Sequence, residues 1–457
     1  MGLPTAGEKF YFEENIRVDF QGSALRRLVP IFGLVVAVVF LPCLARAAES
    51  EAMEQPIPEG TVITPQNWQQ YKNYMTDGMQ ALFAGTYNFR FPSNFQMVVD
   101  RTHDYHPPQS FIDATEKYSR QVQIVNLPDG RRTISGYVAG LPFPDPKPPL
   151  QGWKLLIDTW YAYVPWMLCT ADGRFVFEDR LGNISGDQWW LVNRIFSHRS
   201  DAGVTPTDPK GEGMYNTQFF QIQKPEQARY TSLLSVYYDD LTRTEDTFLF
   251  IPALRRTLRL SSAARCSPAL GSDFAIDDTR HSTFNGNPTR FDGRYVGDRG
   301  VLEMIKPDPY LSSQDSAFYM PIFYPKPEVG KWEVRNSFVL DVTRIPSESK
   351  GYCYGKKRLY IDKQMYDSIW GDIYDENQRL WKVDYDPGGV VVVPGEGPVW
   401  SNNGWGVMID VQNSHLTHVD FGHHGFFVNQ DCANADDHDF TDIGRYSSVR
   451  GLSQIMQ

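Results

Sequence analysis

Three groups of side chains in this chain carry the types and spacings that chemistry needs. The first is Arg255, Arg256 and Arg259. A planar guanidinium at the mouth of a pocket can grip a phosphate or a lipid headgroup through its fork of donors. Read as a strand, 255–260 puts Arg255 and Arg259 on one face and Arg256 with Leu258 and Leu260 on the other. The plainer reading pairs these arginines with nearby acids, and the acidic loop 273–278 is the obvious partner. The second group is His415, His418, His423, His424 and His438, beside Asp420, Asp436 and Asp437. Neutral imidazoles with carboxylates are the usual ligands of zinc and other transition metals. Yet 416–421 reads as strand, which throws His415 and His418 onto opposite faces, and His423-His424-Gly425 reads as a turn. Surface histidines are therefore expected and no metal site is assigned. The acidic stretch 431–442 lacks the alternating aspartates of a calcium loop and reads as a solvated loop.

The third group is the cysteines. Of the 5, Cys43 falls in the apolar leader described below, which leaves Cys169, Cys266, Cys353 and Cys432. An even number in an oxidising compartment points to two disulfides, with three connectivities open. None stands in a Cys-x-x-Cys pair, so thiol-redox and zinc-ribbon roles have no support. Enzyme signatures are missing too. The sequence holds no Gly-x-Ser-x-Gly elbow, no His-Glu-x-x-His, no phosphate loop and no dinucleotide fingerprint. Gly182-Asn-Ile-Ser-Gly186 fails the elbow spacing by one residue. No cofactor is expected. A pair of hydrolytic carboxylates has no local signature, so a secreted hydrolase stays as an alternative.

These groups need a compartment and a scaffold. Arg26 and Arg27 precede an apolar run to Leu41, and Ala45-Arg46-Ala47 has the small-x-small form of a signal-peptidase site. Residues 1–47 are thus expected to be a cleaved secretory signal, with 48–457 forming a single exported domain. Without the leader, Lys+Arg falls from 44 to 39 and Asp+Glu from 55 to 51, a net charge of −12. So acidic a chain is a poor partner for nucleic acid, whose phosphates need clustered Lys and Arg.

Helices come first along the chain. Thr64-Pro65 reads as a helix start, and Trp68, Tyr71, Met75, Met79, Leu82 and Phe83 follow at helical spacing. A second helix is predicted over 109–122. Five prolines within 141–150 make an extended strap. From Gly152 the period is mostly two: Tyr161, Tyr163, Pro165 and Met167 alternate with Ala162, Val164, Trp166 and Leu168. Phe338, Leu340 and Val342 alternate with Val339, Asp341 and Thr343 in the same way. The segments 358–361, 365–374 and 379–385, separated by turns, read as a β-meander. The architecture is α+β: a helical part at about 64–122, the strap, and a β-rich part over 152–450 built on one large, curved antiparallel sheet.

Four motifs then resemble a known family. Asp246-Thr-Phe-Leu-Phe-Ile-Pro-Ala-Leu-Arg-Arg-Thr-Leu-Arg-Leu260, followed by Gly271-Ser-Asp-Phe-Ala-Ile-Asp-Asp278, is similar to the outer-membrane lipoprotein-sorting-like proteins of Gram-negative bacteria. So is the meander Lys357-Arg-Leu-Tyr-Ile-Asp362, Ile373-Tyr-Asp375, Leu380-Trp381. Gly140-Leu-Pro-Phe-Pro144 and 108–118 narrow the resemblance to the branch called domain of unknown function 1329. The paired cysteines and the His-rich tail depart from that pattern. The resemblance implies a half-open antiparallel β-barrel covered by a few N-terminal helices, with an apolar hollow for acyl chains. It also implies a periplasmic, non-enzymatic carrier of a lipid or other hydrophobic molecule, served by an inner-membrane resistance-nodulation-type exporter or an outer-membrane protein. Trp68, Phe250, Tyr360 and Trp381 are then candidate wall residues, with Arg255, Arg256 and Arg259 at the rim. The helix over 65–83 and the Pro-rich strap are the candidate lids. An envelope assembly protein whose interior is merely core is the remaining rival.

Overall fold

The computed structural model describes residues 57–454, apart from 262–264, 281–282, 306–323, 403–404 and 423–424. The expected signal, 1–47, lies outside the described residues. Among these, no helix is long and apolar enough to cross a membrane.

Fourteen strands make one antiparallel, curved sheet. In chain order they are β1 (Met167–Glu178), β2 (Ile184–Ile195), β3 (Met214–Lys224), β4 (Ser232–Tyr238), β5 (Asp246–Ile251), β6 (Arg256–Leu260), β7 (Phe291–Met304), β8 (Trp332–Arg344), β9 (Lys356–Asp362), β10 (Ser368–Tyr374), β11 (Leu380–Tyr385), β12 (Trp405–Asp410), β13 (His415–Asp420) and β14 (Phe427–Val428). Their order in space is β6-β5-β4-β3-β2-β1-β13-β12-β11-β10-β9-β8-β7, with the short β14 also on β1. The chain therefore runs outward from the centre through β1–β6, crosses to the far edge, and meanders back through β7–β13. The two meanders join where β13 pairs with β1, Val419 opposite Phe175. Among the described residues, β6 and β7 each pair along one side only, so the sheet is a half-barrel and not a closed one.

The strand alternation sorts side chains onto two faces. Phe338, Leu340 and Val342 of β8 and Leu359 and Ile361 of β9 share a cluster with Trp153, Leu156, Ile157 and Trp160. Val339 and Tyr360, on the other side of the same strands, join Met79, Leu82 and Phe83. We call the first face inner and the second outer. Farther along, the outer face of β1–β5 (Cys169, Val192, Phe219, Leu234, Phe250) is covered by the C-terminal residues Cys432, Phe440, Tyr446 and Leu452. A disulfide joins Cys169 to Cys432 there, and a second joins Cys266 to Cys353.

The longer helices are α1 (Asp77–Ala84), α2 (Gln109–Tyr118) and α3 (Gln151–Trp160), and two four-residue helices follow at Ile443–Tyr446 and Gly451–Gln454. Two of the longer ones correct the sequence reading. The stripe from Trp68 to Phe83 is not one helix: Trp68–Tyr74 is a 3-10 turn, Met75 is extended, and α1 starts afresh with the Thr76 hydroxyl accepting from the Met79 N–H. Thr76-Asp77 is a stronger start signal than a continued stripe, because cap oxygen and acid both suit a helix N-terminus. Residues 151–160, read as β-rich, form α3. Trp153, Leu156, Ile157 and Trp160 mark its buried face. Gly152 meets Gly293 of β7 so closely that a Cβ would lie 2.3 Å from the Gly293 carbonyl oxygen. Accordingly Tyr161 and Tyr163 precede β1 instead of sharing a strand with Met167.

Candidate ligand-binding cavity

A hollow of about 190 Å³ opens between the inner face of β1–β4 and the crossing segment 265–290. Its walls come from alternate residues of neighbouring strands: Phe175, then Trp189 and Leu191, then Phe220, then Leu233. Leu191, Phe220 and Leu233 are only half-buried, and the surface they keep accessible faces the hollow. The Trp189 indole lies flat because position 173 is glycine. A Cβ there would sit 2.1 Å from the ring. Phe175, Trp189 and Phe220 pack ring to ring, with centroids 4.6–5.5 Å apart. Phe421 and Phe426 close one side.

The roof is the crossing segment, which contributes Ala269, Leu270, Phe274 and Ile276. Topology puts it there: a chain passing from edge β6 to edge β7 must traverse a face of the sheet. Polar ties pin it. Cys266 is bonded to Cys353, just before β9. Lys357 of β9 donates to Asp278 at 2.5 Å, to the Thr283 carbonyl at 2.7 Å and to the Asp277 carbonyl at 2.9 Å. Arg265 pairs with Asp277 and with Glu245, Arg290 with Glu245, and Arg344 with Asp277. Burial pushes the Asp277 carboxyl up, but Arg265 and Arg344 outweigh it and hold the group below the usual range. Tyr354 donates to Asp278 at 2.7 Å; burial, then the Asp278 charge, raise its phenol well above the ordinary value. Thr283 sits directly on Gly371, where a Cβ would meet its hydroxyl at 2.2 Å.

A family model described as "Protein of unknown function (DUF1329)" matches residues 62–441. The chain belongs to the DUF1329 family. An uncharacterized protein of Pseudomonas aeruginosa is 22% identical over 348 residues, covering 74% of this chain and 70% of that one. Among solved structures, a DUF1329 family protein from Desulfovibrio piger is similar with a TM-score of 0.43 at 13% identity, over 63% of this chain and 97% of its own. A LolA superfamily protein from Nitrosomonas europaea follows with a TM-score of 0.35 at 12% identity, over 57% and 86%.

In this DUF1329 chain the residues singled out from sequence lie away from the hollow. Arg255 is not in the strand: it occupies the left-handed position (φ 48°) that closes the turn Pro252–Leu254, and so shares no strand face with Arg259. Arg256 opens β6 and is exposed. Arg259 bonds Asp246 on the neighbouring strand instead of the 273–278 loop, whose acids are engaged by Arg265, Arg344, Lys357 and His415. Trp68 stacks on Phe83 at 5.7 Å, and Phe250 is buried on the outer face. Tyr360 is buried there too and donates to Asp372. Trp381 bonds Asp410 and lies edge-on to Tyr354. The two expected lids are elsewhere as well. Helix α1 covers the outer face, and the strap is tied to α3 and to the β9–β10 connection, where the Phe143 N–H donates to Asp158 and the Asp145 N–H to Tyr366.

His415 and His418 fall on opposite faces as strand alternation predicts, but His418 is not the surface histidine expected, because its face of β13 packs into the core beside Val407. His415 bonds Asp273 at 2.6 Å, and His418 is buried, with burial lowering it to about 3. His423 and His424 lie outside the described residues. Among those described, no three His, Cys, Asp or Glu side chains form a metal-sized group. The wall residues were missed because the sequence reading assigned no individual strands over 184–238, only a general period of two, and a period does not say which face meets empty space. Trp189-x-Leu191 and the glycine at 173 are the signals that point to them.

Proposed function

We propose that this chain is an exported, non-enzymatic binding protein of the cell envelope that carries a lipid or other hydrophobic molecule. The apolar hollow under the crossing segment carries the reading. A dry apolar cavity of roughly 150 Å³ takes up a benzene-sized guest, and this one is larger and walled by aromatic and aliphatic side chains. Each methylene buried there gains ~0.8 kcal/mol. The volume suits a ring system or a short alkyl segment inserted from a larger molecule. The motif resemblance to lipoprotein-sorting-like proteins points the same way. A membrane partner, in this reading a resistance-nodulation-type exporter or an outer-membrane protein, supplies or receives the cargo.

Hydrolysis has less support. The carboxyls that burial drives well above the usual range, Asp158, Glu303 and Asp384, do not line the hollow. The test is uptake of environment-sensitive acyl and sterol-like probes, with native mass spectrometry of gently isolated protein. Leu191→Trp should fill the hollow and weaken uptake at least tenfold while the fold is retained. Absence of uptake by both methods, or full uptake by a folded Leu191→Trp variant, would overturn the proposal.

A further inference from the structure

The roof carries one cation that the ties described above do not engage. Arg280 lines the hollow and is 8% exposed. Its Nη2 donates to the Tyr215 hydroxyl at 2.7 Å, and the guanidinium lies 4.6 Å over the Trp160 ring and 5.0 Å over Tyr215. Its Nε and Nη1 are buried with no hydrogen-bond partner. Arg265, Arg290 and Arg335 are equally buried, and each meets a carboxylate. Among the described residues no carboxylate lies within ion-pairing distance of Arg280, although Asp278, Asp367 and Asp386 also line the hollow. Asp278 is committed to Lys357 and Tyr354. A guanidinium held out of water with two idle donors is a standing free-energy cost that an incoming anion would relieve.

We propose that Arg280 receives the carboxylate of an amphipathic cargo whose apolar part lies against Trp189, Phe220 and Phe274. This deepens the carrier reading and rests on it. The aromatic platform of Trp160 and Tyr215 fixes the guanidinium plane, and the Tyr215 bond occupies one nitrogen, so Nε and Nη1 are the donors left, already ordered, for a ligand at this wall of the hollow. A neutral lipid of the same shape would fill the apolar space and leave the charge unrelieved. Selectivity for the anion follows from this difference, since a hydrogen bond to a charged group outweighs one between neutral groups.

The experiment is calorimetric or fluorescence titration of the intact protein at neutral pH with octanoate, octanol and acetate. Octanoate should bind roughly tenfold or more tighter than octanol, and acetate should bind far more weakly than either. In Arg280→Met the octanoate preference should vanish while octanol affinity is retained; Arg280→Lys should keep part of it. Equal affinity of wild type for octanoate and octanol overturns the proposal and leaves the carrier reading standing. Acetate binding as tight as octanoate makes this a free-anion site and overturns it as well. No binding of octanoate or octanol refutes both readings. The wild-type comparison decides these outcomes whether or not the Arg280→Met protein folds.

Discussion

Lys357→Met keeps the length and apolar stem of the side chain and removes the ammonium that holds the roof. Lys357 is 1% exposed, and its Nζ makes three bonds, all to the crossing segment. The variant leaves the Asp278 carboxylate without its cation and the Asp277 and Thr283 carbonyls without that donor. Breaking a buried ion pair by removing one partner destabilises by ~3–5 kcal/mol, because the surviving charge stays desolvated. Each orphaned carbonyl adds about 1 kcal/mol. The Tyr354 hydroxyl and the Ala275 N–H still bond Asp278 and offset part of this. The net loss should be about 3–5 kcal/mol, read as a lower urea midpoint with an unchanged slope. Hydrogen exchange should localise it, with amides at 275–278 and 284–285 exchanging faster than those of β2 and β3. Adding Asp278→Asn should recover a substantial part, since a neutral amide tolerates the site better than an unpaired carboxylate. A loss below about 1 kcal/mol, the range of an exposed pair, with unchanged exchange at the roof, would refute the assignment of Lys357 as its anchor.

Two further outcomes follow from the same structure. Burial, then the Asp77 charge, raises the Asp372 carboxyl to about 7, although Tyr360 and Gly78 hydrogen bonds pull it down. Its folded value lies above its unfolded one, so the stabilisation is complete below about pH 4 and is lost as pH rises through about 7, a few kcal/mol in all. Asp372→Asn keeps acceptor and donor for Gly78 and Tyr360 and should flatten this dependence; identical pH slopes of urea stability in wild type and variant would contradict it. Replacing Cys266 and Cys353 by Ser opens a loop of 87 residues and should lower stability by roughly 4–5 kcal/mol and speed probe release. Removing Cys169–Cys432, on the outer face, should destabilise without changing the release rate. Equal release rates in the two cysteine variants would show that the Cys266 tie does not hold the roof.

Some of this was legible along the chain. The meander of β9, β10 and β11 shows in its turn residues, and the alternation over Phe338–Thr343 places β8 and its two faces correctly. Helix α3 was hidden between a Pro-rich strap and the alternating run 161–168, although its Trp153, Leu156, Ile157 and Trp160 have helical spacing. Arginine types at 255–259 announce positive charge, but not that Asp246, one strand away, takes Arg259.

The amino-acid order by itself determined the local periods, the turns, the acidic balance and the stock of aromatic rings. The spatial arrangement alone decided that β13 lies beside β1, that the crossing segment therefore spans the inner face, and that Trp189, Phe220 and Arg280 meet across a hollow. The reason is physical. Periodicity and turn propensity are set by a residue's near neighbours in the chain, whereas a cavity is defined by which distant side chains fail to fill a space.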